Sequence, residues 1–515
     1  VTPPPRPPGK RFVLALFAAA FALYAAGFAW PPLGDDRFYV VGQSFLRDPR
    51  GLAALLTPRF FFQVLPVANS WRPVWLASVL VDRALLGASF AALRASSAFW
   101  HAAGAAALAA LCFELTADAA VAAAAGFLFV AHPVHAEVVR VVTYRSDALA
   151  FAFGAAALLL HVRAWRSARP GLARAASLAL FAAALLSKES AAAVPLLLPV
   201  VDSLCPAAPA WRRRARAYGA FALVLLGYLY FRAPRAGYES SDGADAFTAL
   251  QARAPGFFAP VSQPNPRYPN FLTGDGRRRD PRPWSRALAD PWTRARTLLA
   301  VQGSSLRRLL WPQPLQGDYA PRPSGSWREP DTAAALAAWL LLAAGAFFWR
   351  RRNPLLTAGL LWIPAALVPV SGIVMMRNLT ADRYLYFSSA GACLALAALV
   401  AAPPTRGPHA RRAAQILCGF VAVFWALLGL RRAPDFRSDE AYFAATVAVD
   451  PDVPRARFNL GLSEWRDGRL DAADEDLRAA LRLWPQSGRV REGYADFLRF
   501  RGLDAQAAAV RNEAP

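Results

Sequence analysis

The chain has 515 residues, 56% of them hydrophobic, and a mean hydropathy of +0.25. That is too apolar for a soluble domain and fits a polytopic membrane protein. A net charge of +23 raises nucleic acid as a partner, but the arginines recur in short loops between apolar runs. Membrane topology requires that pattern, so the charge is read as orientation and lipid-phosphate contact.

Abundant Ala, Arg, Pro and Gly suggest a GC-rich bacterial genome, hence a bacterial inner membrane. Cys112, Cys205, Cys393 and Cys418 lie in or beside apolar runs and form no CxxC, so neither a zinc site nor a disulfide framework is indicated.

The first apolar run, 12–30, is long enough to span and follows Arg6, Lys10 and Arg11, which puts the N-terminus in the cytoplasm. It is read as an anchor, not a removed signal. An external segment, 31–94, opens with Gly34-Asp35-Asp36-Arg37 and passes through Trp71-Arg72-Pro73 into a short interfacial stretch, 74–86.

Spans are then expected at 95–115, 117–131, 148–160, 172–186, 191–204 and 218–231. Arg163, Arg166 and Arg169 mark one inside loop and Arg212, Arg213, Arg214 and Arg216 the next. Residues 233–331 form a long external loop, with an amphipathic interfacial helix near 298–311. Four more spans follow at 333–349, 355–374, 384–402 and 413–430, for about eleven in all, with the C-terminus outside. Arg431 and Arg432 are the exception to the charge rule.

Between the third and fourth spans lies a polar island, 132–147. It holds His132, His135, Glu137, Arg140, Arg145 and Asp147. Pro133 suits a first helical turn. Val134, Val138, Val141 and Val142 then share one face and Glu137, Arg140 and Tyr144 another. The spacing predicts a short amphipathic helix at the interface, its polar face toward water or substrate. Ionisable clusters at membrane boundaries usually line a pathway or a site.

The tail, 433–515, changes character. Pro451 and Pro485, Gly461 and Ala495, Gly468 and Gly502, and Ala473 and Ala507 repeat at the 34-residue period of the tetratricopeptide unit, with small residues where paired helices would cross. So short an array is expected to pack on the membrane domain or on a partner.

These motifs, in this order, resemble the transmembrane and tetratricopeptide-repeat O-mannosyltransferases and their bacterial relatives of the GT-C class. The residues that carry the likeness are Asp35-Asp36, Trp71-Arg72-Pro73, His132-Pro133-Val134-His135-Ala136-Glu137, Arg145-Ser146-Asp147, Ser187-Lys188-Glu189 and Asp382-Arg383-Tyr384-Leu385-Tyr386. The resemblance implies an all-α fold, with a GT-C-like membrane domain over 1–432 and a short extracytoplasmic repeat solenoid over 433–515. It also implies an inverting transfer of a sugar, mannose being the candidate, from a polyprenyl-phosphate donor to a hydroxyl of an extracytoplasmic protein.

The topology brings Asp35, Asp36, His132, His135, Glu137, Arg145, Asp147, Lys188, Glu189, Arg377 and Arg383 to one face. Such a transfer needs a carboxylate to take the acceptor proton and cations to hold the departing phosphate. The resemblance assigns the base to Asp35 or Asp36. The donor would meet His132, His135, Glu137, Arg145, Asp147, Lys188, Glu189, Arg383 and Tyr384.

Plainer roles compete: Asp35-Asp36 as a helix cap, and Lys188-Glu189 or Asp382-Arg383 as surface ion pairs. His132, His135 and Glu137 leave a divalent-cation site open beside a preferred hydrogen-bond network, with no cofactor otherwise indicated. A glycan-acceptor ligase, a lipid-saccharide transporter and a non-enzymatic scaffold are the other functions weighed. Few charges fall inside the expected spans and no inverted repeat is visible, which counts against transport.

Overall fold

The computed structural model describes residues 9–41, 71–87, 89–232, 286–373, 378–401 and 407–512. Every regular element among them is helical. In chain order the α-helices are α1 (Lys10–Tyr24), α2 (Pro73–Leu86), α3 (Phe90–Thr116), α4 (Ala119–Ala131), the short α5 (Ala136–Arg140), α6 (Arg145–Ala164) and α7 (Pro170–Ser187). Then come α8 (Val194–Ser203), α9 (Trp211–Arg232), α10 (Pro291–Leu310), α11 (Pro330–Trp349), α12 (Pro354–Leu367), α13 (Tyr386–Ala397) and α14 (Gly407–Arg431). The tail holds α15 (Asp439–Val449), α16 (Pro454–Arg466), α17 (Leu470–Leu483), α18 (Gly488–Phe500) and α19 (Asp504–Asn512).

Local chemistry sets many of these boundaries. Proline opens α2, α7, α10, α11, α12 and α16, where its missing N–H costs nothing. Ser89, Asp118, Asp290, Asn353, Ser438 and Ser487 cap their helices through side-chain oxygens. The turn between α3 and α4 is a single residue, Ala117 in the left-handed region, followed by the Asp118 cap.

Each run expected to span carries a helix. Six of them (α1, α3, α6, α7, α11 and α14, some with flanking turns) are long and apolar enough to cross a membrane. A seventh crossing results if α4 and the segment from Pro133 to Arg140, bent by 50°, count together. The helices α4, α8, α12 and α13 have 13, 10, 14 and 12 residues, shorter than a hydrocarbon core requires. Helix α9 begins in its arginine cluster. By length and composition the described residues therefore supply six or seven spans where eleven were expected.

Large apolar side chains stay exposed along α9, α11 and α14, among them Leu223, Leu340, Phe348, Phe420 and Val423. Lipid covers such faces in a multi-pass membrane protein.

Helices α1, α3, α4, α6, α7, α8 and α13 bury one continuous core that includes Leu16, Leu108, Phe129, Phe151, Phe181, Leu197 and Tyr386. Close crossings depend on small residues, as membrane helix pairs commonly do. A Cβ on Gly359 would sit 2.7 Å from the carbonyl oxygen of Gly391, and one on Gly391 2.7 Å from that of Gly359, so α12 and α13 meet backbone to backbone.

In the tail, α16 starts 34 residues before α18 and α17 starts 34 residues before α19. The turns between the paired helices hold Gly468 and Gly502 at φ +81° and +76°, a conformation glycine tolerates. Phe458, Leu477, Trp484, Tyr494 and Phe497 form a separate core there. A helix does form where one was expected near 298–311: it is α10, which packs against α11.

Candidate functional site

The polar island does not form the expected amphipathic helix with a wetted face. It is three short turns, 133–135, 136–140 and 142–144, and nearly every side chain in it is buried. The reason lies in its backbone. Val141 is extended at φ −105° and ψ 113°, which breaks the helix and frees the next two amides. Those amides turn onto Asp36: Val142 N–H donates to Oδ2 at 3.1 Å, and Thr143 N–H and Oγ1 both donate to Oδ1 at 2.8 Å. Both Asp36 oxygens are thereby engaged, and the side chain is fully buried. Burial pushes its carboxyl up to about 6, against the pull of those donors.

Asp35 behaves differently. It is half-buried, and Tyr144 donates its hydroxyl to Oδ2 at 2.9 Å. The Tyr144 ring lies under the Arg383 guanidinium at 4.2 Å, and Arg383 Nη1 donates to Glu137 Oε1 at 2.7 Å. Glu137 is fully buried, and among the described residues its second oxygen, Oε2, has no hydrogen-bond donor.

A second group adjoins this one. Lys188 Nζ pairs with Asp147 and also lies 5.9 Å from the centre of the Tyr384 ring. Burial lowers the Lys188 ammonium and outweighs Asp147, which would raise it. Glu189 does not pair with its neighbour Lys188, as a surface ion pair would. It takes a bidentate grip from Arg72, Nη2 to Oε1 at 2.7 Å and Nε to Oε2 at 3.2 Å, with Arg232 at 3.5 Å. Burial alone would raise the Glu189 carboxyl, but Arg72 and Arg232 hold it well below the usual range. Trp71 stacks on Tyr228 beside this cluster.

Three expected donor contacts sit elsewhere. Arg145 is fully buried: Nη1 lies 2.5 Å from Asp82 Oδ2, Nε donates to Ser97, and Nη2 donates to the Leu93 carbonyl. It is committed to α2 and α3 and does not face the cluster. His132 bonds the Leu309 carbonyl through Nε2 at 3.1 Å and packs on Trp425. His135 bonds Ser389 through Nε2 at 2.8 Å and sits among Phe129, Tyr386 and His101. His132, His135 and Glu137 thus point to three different partners. Among the described residues no three His, Cys, Asp or Glu side chains come together as metal ligands.

Asp382 and Arg383 also separate. Asp382 Oδ1 accepts from Arg308 at 3.0 Å and from Tyr319 at 2.5 Å, and Arg432 lies 3.0 Å from Oδ2. That contact accounts for an arginine the charge rule had left on the wrong side. Charges buried beside the bundle, Asp82 with Arg145 and Arg94 with the carbonyls of 28, 30, 31 and 140, are more frequent than the hydropathy pattern suggested. Arg377 lies outside the described residues.

The motif pattern quotes Arg72 without a role and places Tyr144 only on the polar face of the island; it does not single out Arg232 or Tyr442. Tyr442, on the first tail helix, donates its hydroxyl to Glu137 Oε1 at 2.9 Å. No local signal marks that pairing, because 305 residues separate the two.

No family model matches the chain. Over 136 residues it is 26% identical to the protein O-mannosyl-transferase Tmtc2 of Drosophila melanogaster, a stretch covering 26% of this chain and 14% of that protein. The chain therefore matches about a seventh of that curated relative's length. Among solved structures it is similar, at TM-score 0.40 and 15% identity, to ArnT from Cupriavidus metallidurans bound to undecaprenyl phosphate, covering 99% of this chain and 82% of that one. It is also similar, at TM-score 0.42 and 14% identity, to the apo oligosaccharyltransferase of Archaeoglobus fulgidus, covering 82% of this chain and 55% of that one.

Proposed function

We propose that this chain is a membrane glycosyltransferase that moves a sugar, mannose being the candidate, from a polyprenyl-phosphate donor to a hydroxyl of an extracytoplasmic protein. The observation that carries the reading is a half-buried carboxylate, Asp35, joined through Tyr144 to Arg383, whose charge acts in turn on Lys188 beside Arg72.

Asp35 is the general base. One of its oxygens is held by Tyr144 and the other is left for an acceptor hydroxyl. Asp36 has both oxygens engaged and holds the first loop against Thr143. As Asp35 takes the proton, the acceptor oxygen bonds to the anomeric carbon. The bond from that carbon to the phosphate oxygen breaks with its electrons on the phosphate. One displacement inverts the configuration. Lys188, Arg383 and Arg72 receive the growing phosphate charge, where low dielectric makes each contact stronger than in water.

The donor's hydrocarbon needs an apolar groove. One of about 550 Å³ runs between α1, α4 and α14 and ends at Val130 and Ala131, just before His132. The membrane domain is residues 1–432, in a bacterial inner membrane with the site outside. The tail, 433–515, is a short tetratricopeptide array, consistent with its 34-residue offset.

The test is transfer from a purified polyprenyl-phosphate sugar by Asp35→Asn and Asp36→Asn proteins, with thermal stability measured alongside. Asp35→Asn should lose on the order of 100- to 10,000-fold in rate and keep its stability. A fully active Asp35→Asn protein would remove Asp35 as the base.

A further inference from the structure

We infer that α15, the first tail helix, is a positioning element of the candidate site, and that Asp439 is the residue through which it holds the loop bearing Asp35. The catalytic part of this inference rests on the reading of Asp35 as the base.

So short a tail was expected to pack on the membrane domain or on a partner. Here its first helix is packed into the site itself. Asp439 is buried, and its Oδ1 accepts the N–H of Gly34, the residue before Asp35, at 2.7 Å. Its Oδ2 lies 3.0 Å from Arg37 Nε, two residues beyond Asp35, and 3.6 Å from Arg466 on α16. Gly34 adopts φ +48°, a left-handed conformation that lets the chain turn directly into the carboxylate pair. One side chain thus holds the loop on both flanks of Asp35.

The same helix face reaches Asp35 by a second route. Asp439, Tyr442 and Thr446 lie at i, i+3 and i+7 on one stripe. Tyr442 donates to Glu137, Glu137 holds Arg383, Arg383 covers the Tyr144 ring, and Tyr144 donates to Asp35. Thr446 Oγ1 accepts the N–H of Gly317 at 3.1 Å, and the Tyr442 hydroxyl lies 3.0 Å from the Gly317 carbonyl. A Cβ at Gly317 would fall 2.3 to 2.7 Å from the Tyr442 ring and hydroxyl, so glycine is what permits this approach. Ser438 caps α15 and fixes its register. The base is therefore held between two contacts of one helix, and a shift of α15 moves both.

The experiment compares full-length wild-type protein with Asp439→Ala, Asp439→Asn and Glu440→Gln in lipid nanodiscs. Glu440, the next residue, pairs with Arg469 of the tail, so it serves as the control. Two quantities are read: amide hydrogen exchange over residues 33–37, and kcat and KM for transfer from a polyprenyl-phosphate sugar. Asp439→Ala should speed exchange at Gly34 by tenfold or more and lower kcat by about ten- to hundredfold, the cost of a small misplacement of a catalytic group, with donor KM within about twofold. Asp439→Asn, which keeps an oxygen for Gly34, should recover most of the exchange protection.

Unchanged exchange in Asp439→Ala would overturn the inference, as would faster exchange with unchanged kcat. An equal loss of kcat in Glu440→Gln would place the effect in tail folding and overturn it as well. If wild-type protein transfers nothing, the glycosyltransferase reading falls, and the exchange measurement alone decides whether Asp439 holds the loop.

Discussion

At one end of the helix bundle Arg163 and Arg166 pair with Glu114, and Arg411 with Asp118, and these arginine side chains keep 43–50% of their surface. At the other end Arg145, Lys188, Arg308 and Arg383 pair with Asp82, Asp147, Asp382 and Glu137, and keep 0–11%. The chemistry of the pairs is the same and the environment is not. An exposed pair contributes little, because water and salt screen it. A buried pair costs several kcal/mol of desolvation per ion and repays it only with good geometry and further hydrogen bonds. A fold that needed only stability would bury apolar residues instead. Among the described residues the buried Arg and Lys pairs gather at that end, whereas the other end buries a His161–Asp202 pair.

The contrast can be broken by single substitutions. Lys188→Met removes the cation that Asp147 pairs with directly, leaving only the more distant Arg72 and Arg383, and should cost about 3–5 kcal/mol in thermal unfolding in detergent. Lys188→Met combined with Asp147→Leu should recover most of that loss. A single mutant as stable as wild type would show that water reaches Asp147.

Acidity sharpens the same contrast. The folded chain holds the Asp36 proton more tightly than the unfolded chain does. Its contribution to stability is therefore full below the ordinary carboxylate range and is lost as pH rises through about 6. The loss amounts to about 2–3 kcal/mol, and Asp36→Asn should flatten that part of the stability profile. A profile unchanged by Asp36→Asn would place the titration elsewhere. At the exposed end, Glu114→Gln should change stability by about 0–1 kcal/mol, and less in high salt. A loss above about 2 kcal/mol there would erase the distinction between the ends.

The helices were legible because their signals are local. Apolar runs, prolines at first helical positions and small polar caps lie within a few residues of the boundaries they set. The 34-residue offset of the tail was legible for the same reason, since Gly468 and Gly502 mark equivalent turns. The site was legible only as a set of residue types. Asp35, Glu137, Lys188 and Arg383 are gathered at one end, but their partners were not readable. Arg145 finds Asp82 across 63 residues, Glu189 finds Arg72 across 117, and Tyr442 finds Glu137 across 305. No periodicity encodes such pairs. The island was misread because a 3.6-residue stripe of valines describes a helix well, while the extended Val141 that interrupts it answers to Asp36, more than a hundred residues upstream.

Those separations also order the assembly of the protein in time. A chain leaves the ribosome N-terminus first. The grip of Thr143 on Asp36 closes across 107 residues, so it can form once the first few helices are in the bilayer. The bond from Arg383 to Glu137 closes across 246, and that from Gly34 to Asp439 across 405. Asp36 and Asp35 can thus meet Thr143 and Tyr144 early, while the N–H of Gly34 beside Asp35 is engaged only when the tail arrives. A nascent chain, or one released early, would lack the contact that holds Gly34.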